Sequence, residues 1–191
     1  VGGGNDTVRL WDLTTFPENT PTSTITLEHE GDVTDIAFSP TGHLMASVSR
    51  DGYLRLWDIQ TWQLYKQSQH LQDPSLAVAF SPDGKWLAVG GGNDTVRLWD
   101  MSTFPENTPT STITLEHDGD VTDIAFSPTG NWMASVSRDG YLRLWDTQTW
   151  TLYKQSQHLL DPSLAVAFSP DGKRVASSSR GPTGPVSPSA V

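Results

Sequence analysis

The sequence predicts an all-β fold built from a repeated unit of short antiparallel strands. Three observations carry that expectation. The stretch Ser49-Arg50-Asp51-Gly52-Tyr53-Leu54-Arg55-Leu56-Trp57-Asp58 reads as a turn followed by a strand, and it recurs unchanged at Ser137 to Asp146. Asp-Gly supplies the turn and the aromatic and aliphatic run supplies the strand. A variant, Asn93-Asp94-Thr95-Val96-Arg97-Leu98-Trp99-Asp100, lies between the two copies and also opens the chain at Asn5 to Asp12. The four Trp-Asp endings recur at roughly 40-residue intervals, the spacing of a blade array. Finally, no stretch shows sustained helical periodicity.

The elements follow in order. Val1 to Asp12 reads as a Gly-rich turn and a strand, and Leu13 to Ser23 as a long loop holding Pro17 and Pro21. Thr24 to His29 is a strand with Ile25 and Leu27 alternating against threonines. Asp32 to Ser39 is a third strand, closed by the turn Pro40-Thr41-Gly42. Leu44 to Val48 and Tyr53 to Trp57 follow as a fourth and fifth, then Gln63 to Gln67, Leu76 to Ser81, the Pro82-Asp83-Gly84 turn and Trp86 to Val89. From there the order repeats. Val1 to Ala88 aligns with Val89 to Ala176 at an 88-residue period with ten differences, among them Leu13/Met101, Glu30/Asp118, His43/Asn131, Leu44/Trp132, Ile59/Thr147 and Trp86/Arg174. Each period holds two unlike sub-repeats, A and B. Recent duplication and deliberate design leave the same mark.

These repeated Trp-Asp units resemble the WD40 repeat family, over residues 1–180. The resemblance implies a WD40-type β-propeller with four blades' worth of four-stranded antiparallel sheets per chain. On the family's strand order, Thr34 to Ser39 is an innermost strand, Leu44 to Val48 a second, Tyr53 to Trp57 a third and Gln63 to Gln67 an outermost one. The chain then starts with strands three and four of a blade, runs through three whole blades, and ends with strands one and two, Leu164 to Ser169 and Arg174 to Ser178. The incomplete ends together make up a fourth blade. Blades of this kind suit rings of seven or eight, so two chains are expected to complete an eight-bladed ring as a homodimer. Residues 181–191 carry three prolines and no alternation, and are expected to form a flexible tail.

The resemblance also implies a buried relay of His, Ser, Asp and Trp. Its positions here are His29, Ser47, Asp51 and Trp57, with a second copy at His117, Ser135, Asp139 and Trp145. A His donating to the turn Asp and accepting from Ser, with Ser accepting from the indole N–H, would satisfy all four. The B unit breaks the pattern: Val89 stands for the Ser, Asn93 for the Asp, and His70 is offset by one residue. Apolar packing around Trp99 is expected to hold that unit. Ser, His and Asp together also invite a hydrolase, but Ser47 sits mid-strand without an evident oxyanion hole. No catalytic residue is assigned and the chain is read as a non-enzyme.

Other motifs reduce to structure. Gly2-Gly3-Gly4-Asn5 and its copy at Gly90 precede a strand, whereas a phosphate-cradling loop needs a helix N-terminus. Glu28, His29, Glu30 and Asp32 lack the spacing of a metal loop, so no metal and no cofactor is expected. Asn5-Asp6-Thr7 and Asn93-Asp94-Thr95 match a glycosylation sequon, and with no charged-then-apolar stretch opening the sequence the match is expected to be chance. Thr14 to Ser23, with Phe16, and its copy Ser102 to Ser111, with Phe104, are expected to be contact elements on the rim.

Composition narrows the function. A formal charge of -10 disfavours nucleic acid and anionic lipid, and no apolar run approaches membrane-spanning length. There is no cysteine, hence no disulfide or thiolate site. The chain does not open on Met, which is compatible with a fragment boundary. A cytoplasmic location is expected. The resemblance implies a non-catalytic platform for a protein or peptide partner, docking where loops enter first strands and join second to third. Those positions are Asp32, Thr34, Arg50, Asp120, Thr122 and Arg138, with Leu76 and Leu164 in the B units beside Pro74, Gly92, Pro162 and Arg180. Three alternatives stand: an engineered or recently amplified symmetric propeller with no ligand, a propeller enzyme, and a carbohydrate or small-molecule binder at the channel mouth.

Overall fold

Asp-Gly and Pro-x-Gly turns punctuate the chain, and the strands lie between them. The computed structural model describes residues 2–3, 6–11, 23–68, 71, 73–103, 113–156 and 162–179. Most of both Phe-Pro loops, Phe16 and Phe104 included, lies outside these residues, as do His70, Arg180 and the tail 181–191.

Every regular element among the described residues is a strand. Sheet I contains β1 (Gly2–Gly3), β2 (Thr7–Trp11) and β3 (Ser23–Glu28). Sheet II contains β4 (Val33–Phe38), β5 (Leu44–Ser49), β6 (Leu54–Asp58) and β7 (Leu64–Gln67). Sheet III contains β8 (Ser75–Phe80), β9 (Trp86–Gly91), β10 (Thr95–Asp100) and β11 (Ile113–Glu116). Sheet IV contains β12 (Val121–Phe126), β13 (Trp132–Ser137), β14 (Leu142–Asp146) and β15 (Thr151–Gln155). Sheet V contains β16 (Ser163–Phe168) and β17 (Val175–Ser179). Each four-stranded sheet is an antiparallel meander, as blades require.

Local chemistry explains the turns. Gly52 holds φ at 76°, a left-handed conformation only glycine adopts freely, and its amide donates to Ser49 O at 3.1 Å. Asp83 Oδ1 accepts from Ser81 Oγ and from the Lys85 amide, which closes the Pro82-Asp83-Gly84 turn without help from other sheets.

One detail departs from the sequence expectation. Gly2–Gly3 pairs with Thr7 and Val8, so the first sheet already holds a stub of a second strand and does not start at the third. Among the described residues β16 pairs with β17, and no strand pairing joins sheet V to sheet I.

The core lies between neighbouring sheets. Val8, Leu27, Val33, Met45 and Trp57 join I to II; Val48, Leu54, Leu56, Val78, Leu87, Val89 and Trp99 join II to III. Ala77, Val96, Leu98, Leu115, Val121, Ile124, Met133 and Trp145 join III to IV. Side chains pack directly on the β9 backbone at that last junction: a Cβ on Gly90 would stand 2.6 Å from Val121 Cγ1. In sheet III Trp99 is 1% exposed and packs with Leu87 and Val89.

Candidate functional site

Strand β3 ends at Glu28, and the next residue leaves its own sheet. The His29 amide still donates to Asp6 O, at 2.7 Å, but its ring reaches into sheet II. There Nε2 meets Ser47 Oγ at 2.8 Å, on β5, and the Trp57 indole on β6 donates to the same oxygen at 2.8 Å. Nδ1 faces Leu27 O at 3.2 Å. A carbonyl only accepts, so Nδ1 carries the proton, Nε2 accepts from Ser47, and Ser47 accepts from Trp57. The second copy repeats this: His117 Nε2 to Ser135 Oγ 2.8 Å, Trp145 Nε1 to Ser135 Oγ 2.9 Å, His117 Nδ1 to Leu115 O 3.2 Å. Both serines are fully buried. Burial, with the nearby Arg55, holds the His29 ring below its ordinary pKa; burial, with Arg143, lowers His117 to about 4. Both rings are therefore neutral at pH 7, as the donor pattern demands.

The fourth expected member stands apart. Both ring nitrogens of His29 are engaged by Leu27 and Ser47, and the Asp51 carboxylate binds Arg55 Nη1 at 2.7 Å, the Tyr53 amide at 3.0 Å, the Glu30 amide at 3.2 Å and the Ser49 hydroxyl. The reason is Arg55, four residues on, which presents a full charge where His29 would offer a neutral N–H. Asp51 and Arg55 side chains are each 6% exposed, so this is a buried ion pair. Asp139 and Arg143 repeat it at 2.6 Å, each 5% exposed, and Asp139 also accepts from the Asp118 amide at 3.1 Å. The Arg in the turn-strand unit signalled this pair, since Asp and Arg occur in both copies at the same spacing.

A second polar device was not anticipated. Asp35 Oδ2 accepts from the Val78 amide of sheet III at 2.8 Å, and its Oδ1 accepts from Ile36. Thr34 Oγ1 donates to Ser75 O, also in sheet III, at 2.7 Å. Asp123 and Thr122 bind Val166 N and Ser163 O of sheet V at the same distance of 2.7 Å. Burial pushes the Asp35 and Asp123 carboxyls above the usual range, against the amides that lower them. The junctions thus alternate. The His relay joins I to II and III to IV; the Thr-Asp pair joins II to III and IV to V.

The remaining face residues lie at the ends of first and second strands. The Arg50 amide donates to Asp32 O at 2.9 Å, and their exposed side chains approach to 3.9 Å; Arg138 and Asp120 form the equivalent pair at 3.0 Å. Leu164 is 42% exposed and Leu76 half-buried. Thr34 and Thr122 belong to the junctions just described, with hydroxyls already bonded. A cleft of about 530 Å³ opens elsewhere, where the turn Ser81–Trp86 meets Asn131, Thr147 and Trp150. Among the described residues no cluster of His, Asp and Glu could hold a metal, and no helix is long and apolar enough to cross a membrane.

Comparison with known proteins agrees with this geometry. The family description "WD domain, G-beta repeat" matches residues 20–58, 62–100, 108–146 and 151–183. A curated relative, polyadenylation factor subunit 2 of Kluyveromyces lactis, is 41% identical over 58 residues, which is 30% of this chain and 13% of the relative. The alignment thus spans a small part of that relative's length.

Proposed function

The chain belongs to the WD40 repeat family, and from that premise we propose that it is a non-catalytic platform for a protein or peptide partner. The carrying observation is that the surface pairs Asp32–Arg50 and Asp120–Arg138, in which Asp120 is part-buried, recur at an 88-residue period with Leu76 and Leu164 between and beyond them. Paired opposite charges alternating with leucines match the mixed chemistry of an interface rim and centre. Catalysis finds no support here. Ser47 is buried and bonded on both sides, so its hydroxyl is not presented to a substrate. The relative named as a subunit of a polyadenylation factor fits a role within an assembly.

Reversing the arginines tests this face. Arg50→Glu with Arg138→Glu leaves two facing carboxylates in each pair. It is expected to weaken binding to an array of acidic and apolar peptides at least tenfold, with the thermal midpoint moved by no more than a surface change allows, about 0.5 kcal/mol. Equal binding by both proteins would count against the face. The rival is a symmetric structural propeller without a ligand, which the ten differences in 88 positions favour. It predicts that neither protein binds any peptide.

We also propose that two chains assemble into an eight-bladed ring. Sheet V contributes two strands and sheet I three, of which β1 is only Gly2–Gly3, so a partner's β16–β17 could complete sheet I. The paired ends would remove open strand edges. Light scattering is expected to give twice the 20.9 kDa chain mass; a single-chain mass across a wide concentration range would rule the ring out.

A further inference from the structure

We propose that the pocket formed by His43, Leu44, Asp58, Gln60 and Tyr65 receives an aromatic side chain of a protein partner, tryptophan above all. The pocket lies at the start of β5, the opposite end from Arg50, and so is separate from the face above. Its volume is about 290 Å³, at the low end for small-molecule sites and suited to one ring. Tyr65 is 43% exposed on its rim.

The chain itself shows what fills such a place. Sheet IV is the copy of sheet II, and the strand register is the same: Leu44 pairs with Asp58, Trp132 with Asp146. Three of the five lining residues are unchanged, as Asp146, Gln148 and Tyr153; the other two are Asn131 for His43 and Trp132 for Leu44. In sheet IV the Trp132 indole lies on Tyr153, ring centroids 4.4 Å apart and planes tilted by 42°. Leu44 cannot reach across in that way, and the volume beside Tyr65 is left open. Trp132 is thus a ligand the second copy supplies to itself, and the first copy keeps the same platform without it. A ring placed against Tyr65 would gain the tilted aromatic contact seen in sheet IV. Asp58 and Gln60 add acceptors, which favours a ring bearing an N–H over a plain phenyl.

The test follows from the duplication. A blocked pentapeptide with one central Trp is titrated into the 15N-labelled chain, to about 10 mM, because a single ring is expected to bind with a roughly millimolar Kd. The wild type is expected to show one saturable site, with shifts at Leu44 and Tyr65, and the same peptide with Ala in place of Trp none. Leu44→Trp installs the second copy's own solution and is expected to abolish that site without unfolding the protein. Trp132→Leu is expected to open a second site, so that shifts also appear at Tyr153. Arg50→Glu should leave all of this unchanged, which separates failure here from failure of the charged face. No saturable shift in the wild type overturns the proposal, as does undiminished binding by Leu44→Trp or the absence of a second site in Trp132→Leu. Binding of free indole but not of the Trp peptide also overturns it, and points to a small-molecule pocket.

Discussion

Asp51→Ala is expected to destabilise the protein by about 3–5 kcal/mol, because it leaves the Arg55 guanidinium buried without its counter-charge. Arg55 is 5% exposed, so water cannot replace the lost carboxylate. The Ser49 hydroxyl and the Tyr53 and Glu30 amides lose an acceptor at the same moment, and the last of these tethers sheet I to sheet II. Asp139→Ala should behave alike in sheet IV, where Arg143 retains a longer contact of 3.4 Å to Asp118 and so loses somewhat less. Among the described residues Asn93→Ala removes one acceptor, for Thr95 Oγ1, and it is expected to cost no more than about 1 kcal/mol. Denaturant midpoints of the three variants check this ranking. Pairing Asp51→Ala with Arg55→Leu should recover part of the loss, since the double change removes both charges. If the double variant is less stable than Asp51→Ala alone, the ion pair is not the cause.

Acid is expected to loosen the sheet junctions before it protonates ordinary carboxylates. Burial lowers His117 from 6.5 to about 4, so the unfolded chain binds the proton first as pH falls. A depressed folded pKa means stability that is complete above the unfolded value and lost as pH drops from 6.5 towards 4. For His117 the loss amounts to about 3 kcal/mol by linkage. His29 adds a loss of the same sign. The raised Asp35 and Asp123 run the other way: their contribution is present at low pH and fades as pH rises through their folded pKa. Asp51 follows the histidines in sign, at lower pH. Burial raises it, but the Ser49, Tyr53 and Arg55 bonds outweigh that and hold it below the usual range. Because these carboxyls overlap the lower end of the window, the histidine share is read as a difference. His117→Gln keeps an acceptor for Ser135 but cannot titrate, so its midpoint should fall less between pH 6.5 and 4.5 than that of the wild type. Parallel pH profiles would mean that the ring is not buried as described.

Much of the architecture was legible because it is written locally. Asp51-Gly52 and Pro82-Asp83-Gly84 close turns through their own side chains, and alternation or apolar runs mark the strands between them. The resemblance to WD40 repeats made Trp57, Ser47 and His29 legible as a group, and the cost of leaving a buried indole or hydroxyl unpaired is the physical reason for it. The repeat itself showed that Leu44 and Trp132 occupy one position.

What the sequence alone determined was the set of short strands, their antiparallel order and the division into unlike A and B units. Only the tertiary structure decided how those units are joined. It gave Asp51 to Arg55 and not to His29, turned Asp35 and Thr34 outward to the next sheet, and left open beside Tyr65 the space that Trp132 fills beside Tyr153. The physical reason is the same in each case. Turns and strand alternation are set by neighbours in the chain, whereas these choices depend on which charge, amide or ring a neighbouring strand or sheet brings within reach.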